Sequence, residues 1–162
     1  MTMKILRNKS GFTMIELVIT AVVLGIIAAM AVPDFFRAMQ KVKLNAATRN
    51  VISDLRWARS HSISSRTQVG LNFDFTNKTY CVFLDTDDPG NFQFNAAADS
   101  VVKAGSLTDL GSGSSTFASN TVIFKPDGTC NSSGQITCYS TDASHSKTVD
   151  ILASTGRIKI TS

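Results

Sequence analysis

Glu16 is the only charged side chain in an apolar run of 21 residues from Phe12 to Val32. At a rise of about 1.5 Å per residue, a helix of that length spans the hydrocarbon core of a bilayer. A carboxylate one turn into such a helix is costly unless a cation neutralises it or it reaches the headgroups, so its chemistry is charge neutralisation inside a membrane or a packed apolar bundle. The remaining reactive groups assemble less well. Asp85-Thr86-Asp87-Asp88-Pro89-Gly90-Asn91 clusters three carboxylates as a calcium loop does, but Pro89 takes the fifth loop position and Ala96 stands where a bidentate Glu belongs. That stretch reads as a solvated acidic turn. His61 and His145 are far apart, and neither sits in a motif that pairs a base with a nucleophile. Neither a G-x-S-x-G elbow nor an H-E-x-x-H helix occurs. The expectation is a protein that is not an enzyme, with no metal and no cofactor.

Cys81, Cys130 and Cys138 are an odd set, so at most one intramolecular disulfide forms. Cys130 and Cys138 flank Gly134 symmetrically, as residues on two strands of a hairpin would. A Cys130–Cys138 disulfide would suit an oxidising compartment such as a periplasm. The alternative is three buried thiols acting as small apolar side chains.

The elements that must position these groups follow from period and punctuation. The apolar run is too long for an ordinary secretory signal, and Ala31-Val32-Pro33-Asp34 is a poor cut site, so the segment reads as retained. Pro33 bends or loosens the helix, which then resumes. Leu44, Thr48, Val51/Ile52, Leu55, Ala58 and Ser62 recur at three- and four-residue steps and form one buried stripe. Lys41, Arg49, Arg56 and Arg59 point largely elsewhere. After Arg66 the period becomes two. Val69, Leu71, Phe73 and Phe75 alternate with polar residues, Thr76-Asn77-Lys78 turns the chain, and Tyr80 to Leu84 returns it. Further strands are expected near Ser100–Lys103, Thr121–Phe124, Gln135–Tyr139, Lys147–Leu152 and Arg157–Ile160, with Gly111 to Ser115 as a flexible loop.

The formal charge of +4 is unevenly distributed. Lys4, Arg7 and Lys9 precede the apolar run, and removing them leaves +1. Between Asp34 and Arg66 seven basic residues face two acidic ones, whereas from Thr67 to Ser162 six basic face nine acidic. A basic stem and a mildly acidic head suit subunits that attract one another more than a nucleic-acid surface.

Gly11-Phe12-Thr13-Met14-Ile15-Glu16-Leu17 followed by an apolar helix resembles the class III signal of type IV pilins and type II secretion pseudopilins. Leu55-Arg56-Trp57-Ala58-Arg59-Ser60, then Phe124-Lys125-Pro126-Asp127-Gly128-Thr129, then Gly156-Arg157-Ile158, are similar to the GspH/FimT-type minor pilins and pseudopilins within that superfamily. The resemblance implies an α+β pilin fold: a long N-terminal helix packed on an antiparallel β-sheet head. The expected organisation is a leader at 1–11, a membrane or filament-core helix at 12–33, an amphipathic stem at 34–66 and a β head at 67–162.

It also implies cleavage between Gly11 and Phe12 by a prepilin peptidase, methylation of the Phe12 amine, and assembly through Glu16. The implied partners are other pilin or pseudopilin subunits and an inner-membrane assembly platform, with the C-terminal domain in the periplasm before filament entry. The freed Phe12 amine is a cation that the Glu16 carboxylate of the same or a neighbouring subunit can neutralise. Some FimT-like relatives bind DNA through a Gly-Arg-x-Arg motif. Here Gly156-Arg157-Ile158-Lys159 retains the charge at Lys159 but not the planar guanidinium fork, so Arg157 and Lys159 are the DNA-contact candidates of an alternative reading.

Overall fold

The computed structural model describes residues 11–86 and 90–161. Lys4, Arg7 and Lys9 of the expected leader, and Asp87, Asp88 and Pro89 of the acidic turn, lie outside the described residues. The chain divides into two compact units, one ending at Ala38 and the other Met39–Ser162.

A single helix, α1 (Met14–Ser65), contains Pro33. It starts at Thr13, whose side-chain oxygen accepts a hydrogen bond from the Glu16 amide at 3.3 Å and satisfies one of the donors that a helix N-terminus leaves open. It stops at Arg66, where the backbone enters the left-handed region (φ 56°). Ser65 Oγ donates to the His61 carbonyl at 2.7 Å, capping the last turn from within. In the first unit the apolar side chains of α1 are exposed, from Phe12 and Met14 through Val32 to Phe36.

The second unit holds two four-stranded antiparallel sheets. β1 (Gln68–Asp74), β2 (Thr79–Asp85), β3 (Ser100–Ser106) and β5 (Thr121–Phe124) form sheet A in the order β3-β2-β1-β5. β4 (Ser112–Ser115), β6 (Gly134–Tyr139), β7 (Ser146–Leu152) and β8 (Arg157–Thr161) form sheet B in the order β4-β6-β7-β8. The β1–β2 turn is tied by Asp74, whose carboxylate accepts from the Thr76 and Asn77 amides at 3.0 and 2.9 Å. Hydrogen bonds from Asn77, backbone first, hold that carboxyl below the usual aspartate range.

The core is where the period-3.6 stripe meets the period-2 faces. Leu44, Val51, Leu55 and Ala58 of α1 join Val69, Leu71 and Phe73 of β1, Val122 and Phe124 of β5, Ile136 of β6, and Val149 and Ile151 of β7. Each large aliphatic among them contributes about 1.5–3 kcal/mol by leaving water. All the expected stripe residues on α1 are buried, and Asp54 is buried with them.

Two expectations are corrected here. Residues 112–115 are not a flexible loop but edge strand β4, paired with β6 from Ser112↔Tyr139 to Ser115↔Ile136. The reason is tertiary: a Cβ on Gly113 would lie 2.5 Å from the Phe75 ring, so the residue with no side chain lets that ring close over the strand. Arg59 does not point away from the domain with its basic neighbours but turns onto it.

Candidate functional site

At the N-terminus, Gly11 and Phe12 precede the first turn of α1 and are exposed, Phe12 to 76%. A Cβ on Gly11 would meet nothing within 4 Å, so packing within the chain places no demand on glycine there. Glu16 lies in the first turn, three residues past the capping Thr13. Thr13-Met14-Ile15-Glu16 thus has the spacing of a capping box, and a carboxylate at that position also favours the positive end of the helix dipole. That local role was legible in the sequence and was missed. Its modest magnitude, about 0.5–1 kcal/mol, separates it from any role between chains.

The second site lies where the three head motifs converge, within the second unit. Arg59 donates from Nε to the Gly128 carbonyl at 3.0 Å. Gly128 has φ +80° and Gly156 φ +59°, conformations in which a side chain is strained. A Cβ on Gly156 would fall 2.2 Å from the Gly128 carbonyl oxygen and 2.8 Å from Arg59 Nε. One helical turn on, Ser62 Oγ donates to the Lys125 carbonyl at 3.1 Å. Asp127 closes the same turn by accepting from Thr129 Oγ1 at 2.6 Å and from its amide at 2.9 Å, and these bonds lower its carboxyl pKa. The motifs therefore form a clamp that fixes the 125–129 turn and the β7–β8 turn to α1.

A second buried tie was not anticipated. Asp54 on α1 accepts from Tyr80 Oη at 2.6 Å and from Lys103 Nζ, joining the helix to β2 and β3. Burial and the adjacent carboxylate push the Tyr80 hydroxyl pKa well up. The signal in the sequence was a carboxylate inside the apolar stripe, one residue before Leu55.

The other candidates are separated. Arg157 and Lys159 lie on β8, with Asp150 of β7 directly opposite Lys159. Cys130 and Cys138 are not on paired strands: Cys130 bridges to Phe124, whereas Cys138 is in β6 between β4 and β7. Both are free thiols, as is Cys81, which corrects the expected disulfide. The Cys130 thiol donates to Asn131 Oδ1 at 3.2 Å, and burial pushes the Cys138 thiol up to about 11. Both act as apolar core residues. His61 stacks on Trp57 with ring centroids 4.7 Å apart, and His145 Nδ1 is 2.6 Å from Ser144 Oγ. Among the described residues no group of His, Cys, Asp and Glu could hold a metal ion.

The family model for the type II transport protein GspH matches residues 47–155, and that for the prokaryotic N-terminal methylation motif matches residues 6–32. No curated protein matches the sequence. Among solved structures, the type IV minor pilin FimU of Pseudomonas aeruginosa is similar with a TM-score of 0.59 at 15% identity, covering 75% of this chain and 90% of that one. A second crystal form of FimU gives 0.56 at 17% identity, covering 74% and 93%. The minor pseudopilin EpsH from the Type 2 Secretion System of Vibrio cholerae gives 0.57 at 12% identity, covering 74% and 97%. These likenesses establish the type IV pilin fold expected from the sequence, one long N-terminal helix on antiparallel sheets. The family is structural and not enzymatic, and its apolar N-terminal helix is typical of inner-membrane prepilins that assemble into a pseudopilus. The chain belongs to the GspH family of type II transport proteins, and it carries the prokaryotic N-terminal methylation motif.

Proposed function

We propose that the chain is a filament subunit cut between Gly11 and Phe12, N-methylated on Phe12, held in the inner membrane by residues 12–33 with its head in the periplasm, and drawn into a pilus or pseudopilus by that same helix. The observation that carries this reading is the exposure of the apolar α1 side chains from Phe12 to Phe36, among which Glu16 is the only charge before Asp34. Such a surface needs lipid first and other helices afterwards.

Glu16 neutralises the new Phe12 ammonium of its own or a neighbouring chain, because an unpaired charge in the packed bundle is costly and a paired one is tolerated. Gly11 supports the cleavage site, since packing within the chain does not require glycine there. The stem at 34–66 and the head at 67–162 cover the outside, and the assembly platform supplies the driving machinery.

The test is the intact mass and N-terminal residue of protein from membranes of hosts with and without a prepilin peptidase. A peptidase-dependent product beginning at N-methyl-Phe12 supports the proposal, and an uncut chain ends it. Loss of protein secretion or loss of pili on deleting the gene then assigns the machine. The DNA-receptor alternative gains nothing from the arrangement of Arg157 and Lys159, because the Asp150 carboxylate opposes Lys159 on the same sheet face.

A further inference from the structure

β8 is the last strand of sheet B, and its outer edge runs beside the second half of α1. Two adjoining depressions lie between them. One, about 590 Å³, is lined by Arg56, Arg59, Arg157 and Ile158 among others. The other, about 410 Å³, shares Arg56 and adds Arg49 and Ile160. Among the described residues none of these arginines has a carboxylate within salt-bridge distance. Ile160, 41% exposed, lines the second depression beside Arg49 and Arg56.

An open strand edge offers unpaired backbone groups, a five-residue strand is about 17 Å long, and added strands are a recurring mode of recognition. The charges decide which strand is admitted. Arg157 and Lys159 on β8 repel a second β8 edge, while the arginines across the groove attract carboxylates, so self-pairing is disfavoured and an acidic strand is favoured. The isoleucines offer apolar contact for every second side chain of such a strand. A DNA duplex is too broad for depressions of this size and has no use for an apolar floor or a strand edge.

We propose that the β8 edge and the arginine-lined groove beside it are a docking site for an extended acidic segment of a neighbouring filament subunit, which adds as a fifth strand to sheet B. This rests on the filament-subunit reading above, and it names a contact that reading leaves open.

The test uses the processed full chain in uncharged detergent micelles and a fluorescein-labelled synthetic heptapeptide alternating glutamate with valine or threonine. Comparators are the same peptide with alternate backbone nitrogens methylated, and a duplex DNA oligonucleotide. Anisotropy is expected to show saturable, salt-sensitive binding of the acidic peptide, weakened about tenfold by Arg56→Glu and by backbone methylation. Arg56 is exposed, so the variant is expected to keep the wild-type urea midpoint. Absence of binding overturns the proposal. So does equal binding of the methylated peptide, or displacement by DNA at equal charge concentration, either of which would mark a general polyanion surface. Peptidase-dependent cleavage and filament entry are followed in the same strains. A chain that is cut and assembled but binds no peptide loses the docking site alone, whereas a chain never cut at Phe12 loses both readings.

Discussion

Replacing Gly156 by Ala tests the clamp at its tightest point. At φ +59° a side chain costs about 1 kcal/mol in backbone strain. The added methyl would also sit 2.2 Å from the Gly128 carbonyl oxygen, a backbone atom, so one of the two turns must move. Moving it breaks the Arg59 Nε–Gly128 bond, a hydrogen bond from a charged donor worth about 1.5–3 kcal/mol. The expected loss is therefore about 3 kcal/mol, a large part of the 5–15 kcal/mol typical of a domain. Trp57 is the single tryptophan and lies on α1 two residues from Arg59, so its fluorescence reports urea unfolding of the head in the detergent-solubilised chain. With a slope near 1.5 kcal/mol per molar, the midpoint should fall by about 2 M. Arg59→Ala should lower it too, and the double variant should lose less than the sum, because both changes remove one bond. A Gly156→Ala midpoint within roughly 0.3 M of wild type would show that the turns relax freely and that the glycine is not held by packing.

Other outcomes follow from separate parts of the molecule. Glu16→Ala should leave membrane insertion and cleavage intact and impair filament entry, judged by immunoblot of membranes and sheared filaments; wild-type incorporation would remove Glu16 from assembly. Tyr80→Phe should cost about 1.5–3 kcal/mol in the same urea assay, because buried Asp54 loses its 2.6 Å donor, and Lys103→Met should cost at least as much, because it leaves that buried carboxylate without its cation. Mass spectrometry after alkylation of unreduced, denatured protein should find three modified cysteines; a single modified cysteine would mean a disulfide forms after all. Asp142 accepts from Ser140 Oγ and Ser144 Oγ, which hold its pKa down at about 2. A depressed carboxyl stabilises above its unfolded pKa and loses that contribution as pH falls through the folded value, so the β6–β7 turn should loosen between about pH 4 and pH 2. The Asp142 carboxyl resonance should titrate in that window, and a midpoint near 4 would contradict the assigned bonds.

The sequence by itself determined the parts that depend on neighbours along the chain. The 21-residue apolar run with one carboxylate, the stripe from Leu44 to Ser62 and the alternation in β1 and β2 are local periodicities, and each element was found where its period indicated. The Gly11-Phe12 and Glu16 pattern was legible for the same reason, since the spacing of those residues is short. What only the tertiary structure decided concerns residues far apart in the chain. The serines of β4 have no strand preference of their own and become a strand because β6 offers a ladder and Phe75 needs the space above Gly113. Cys130 and Cys138 look like hairpin partners by symmetry, yet they belong to different ladders, because β6 pairs with β4 and β7. Arg59 read as surface charge until Gly128 and Gly156, 69 and 97 positions away, supplied the carbonyl and the empty space that draw it in. Period and composition report which face of an element is apolar. They do not report which turn a distant strand brings over that face, and the clamp is made there.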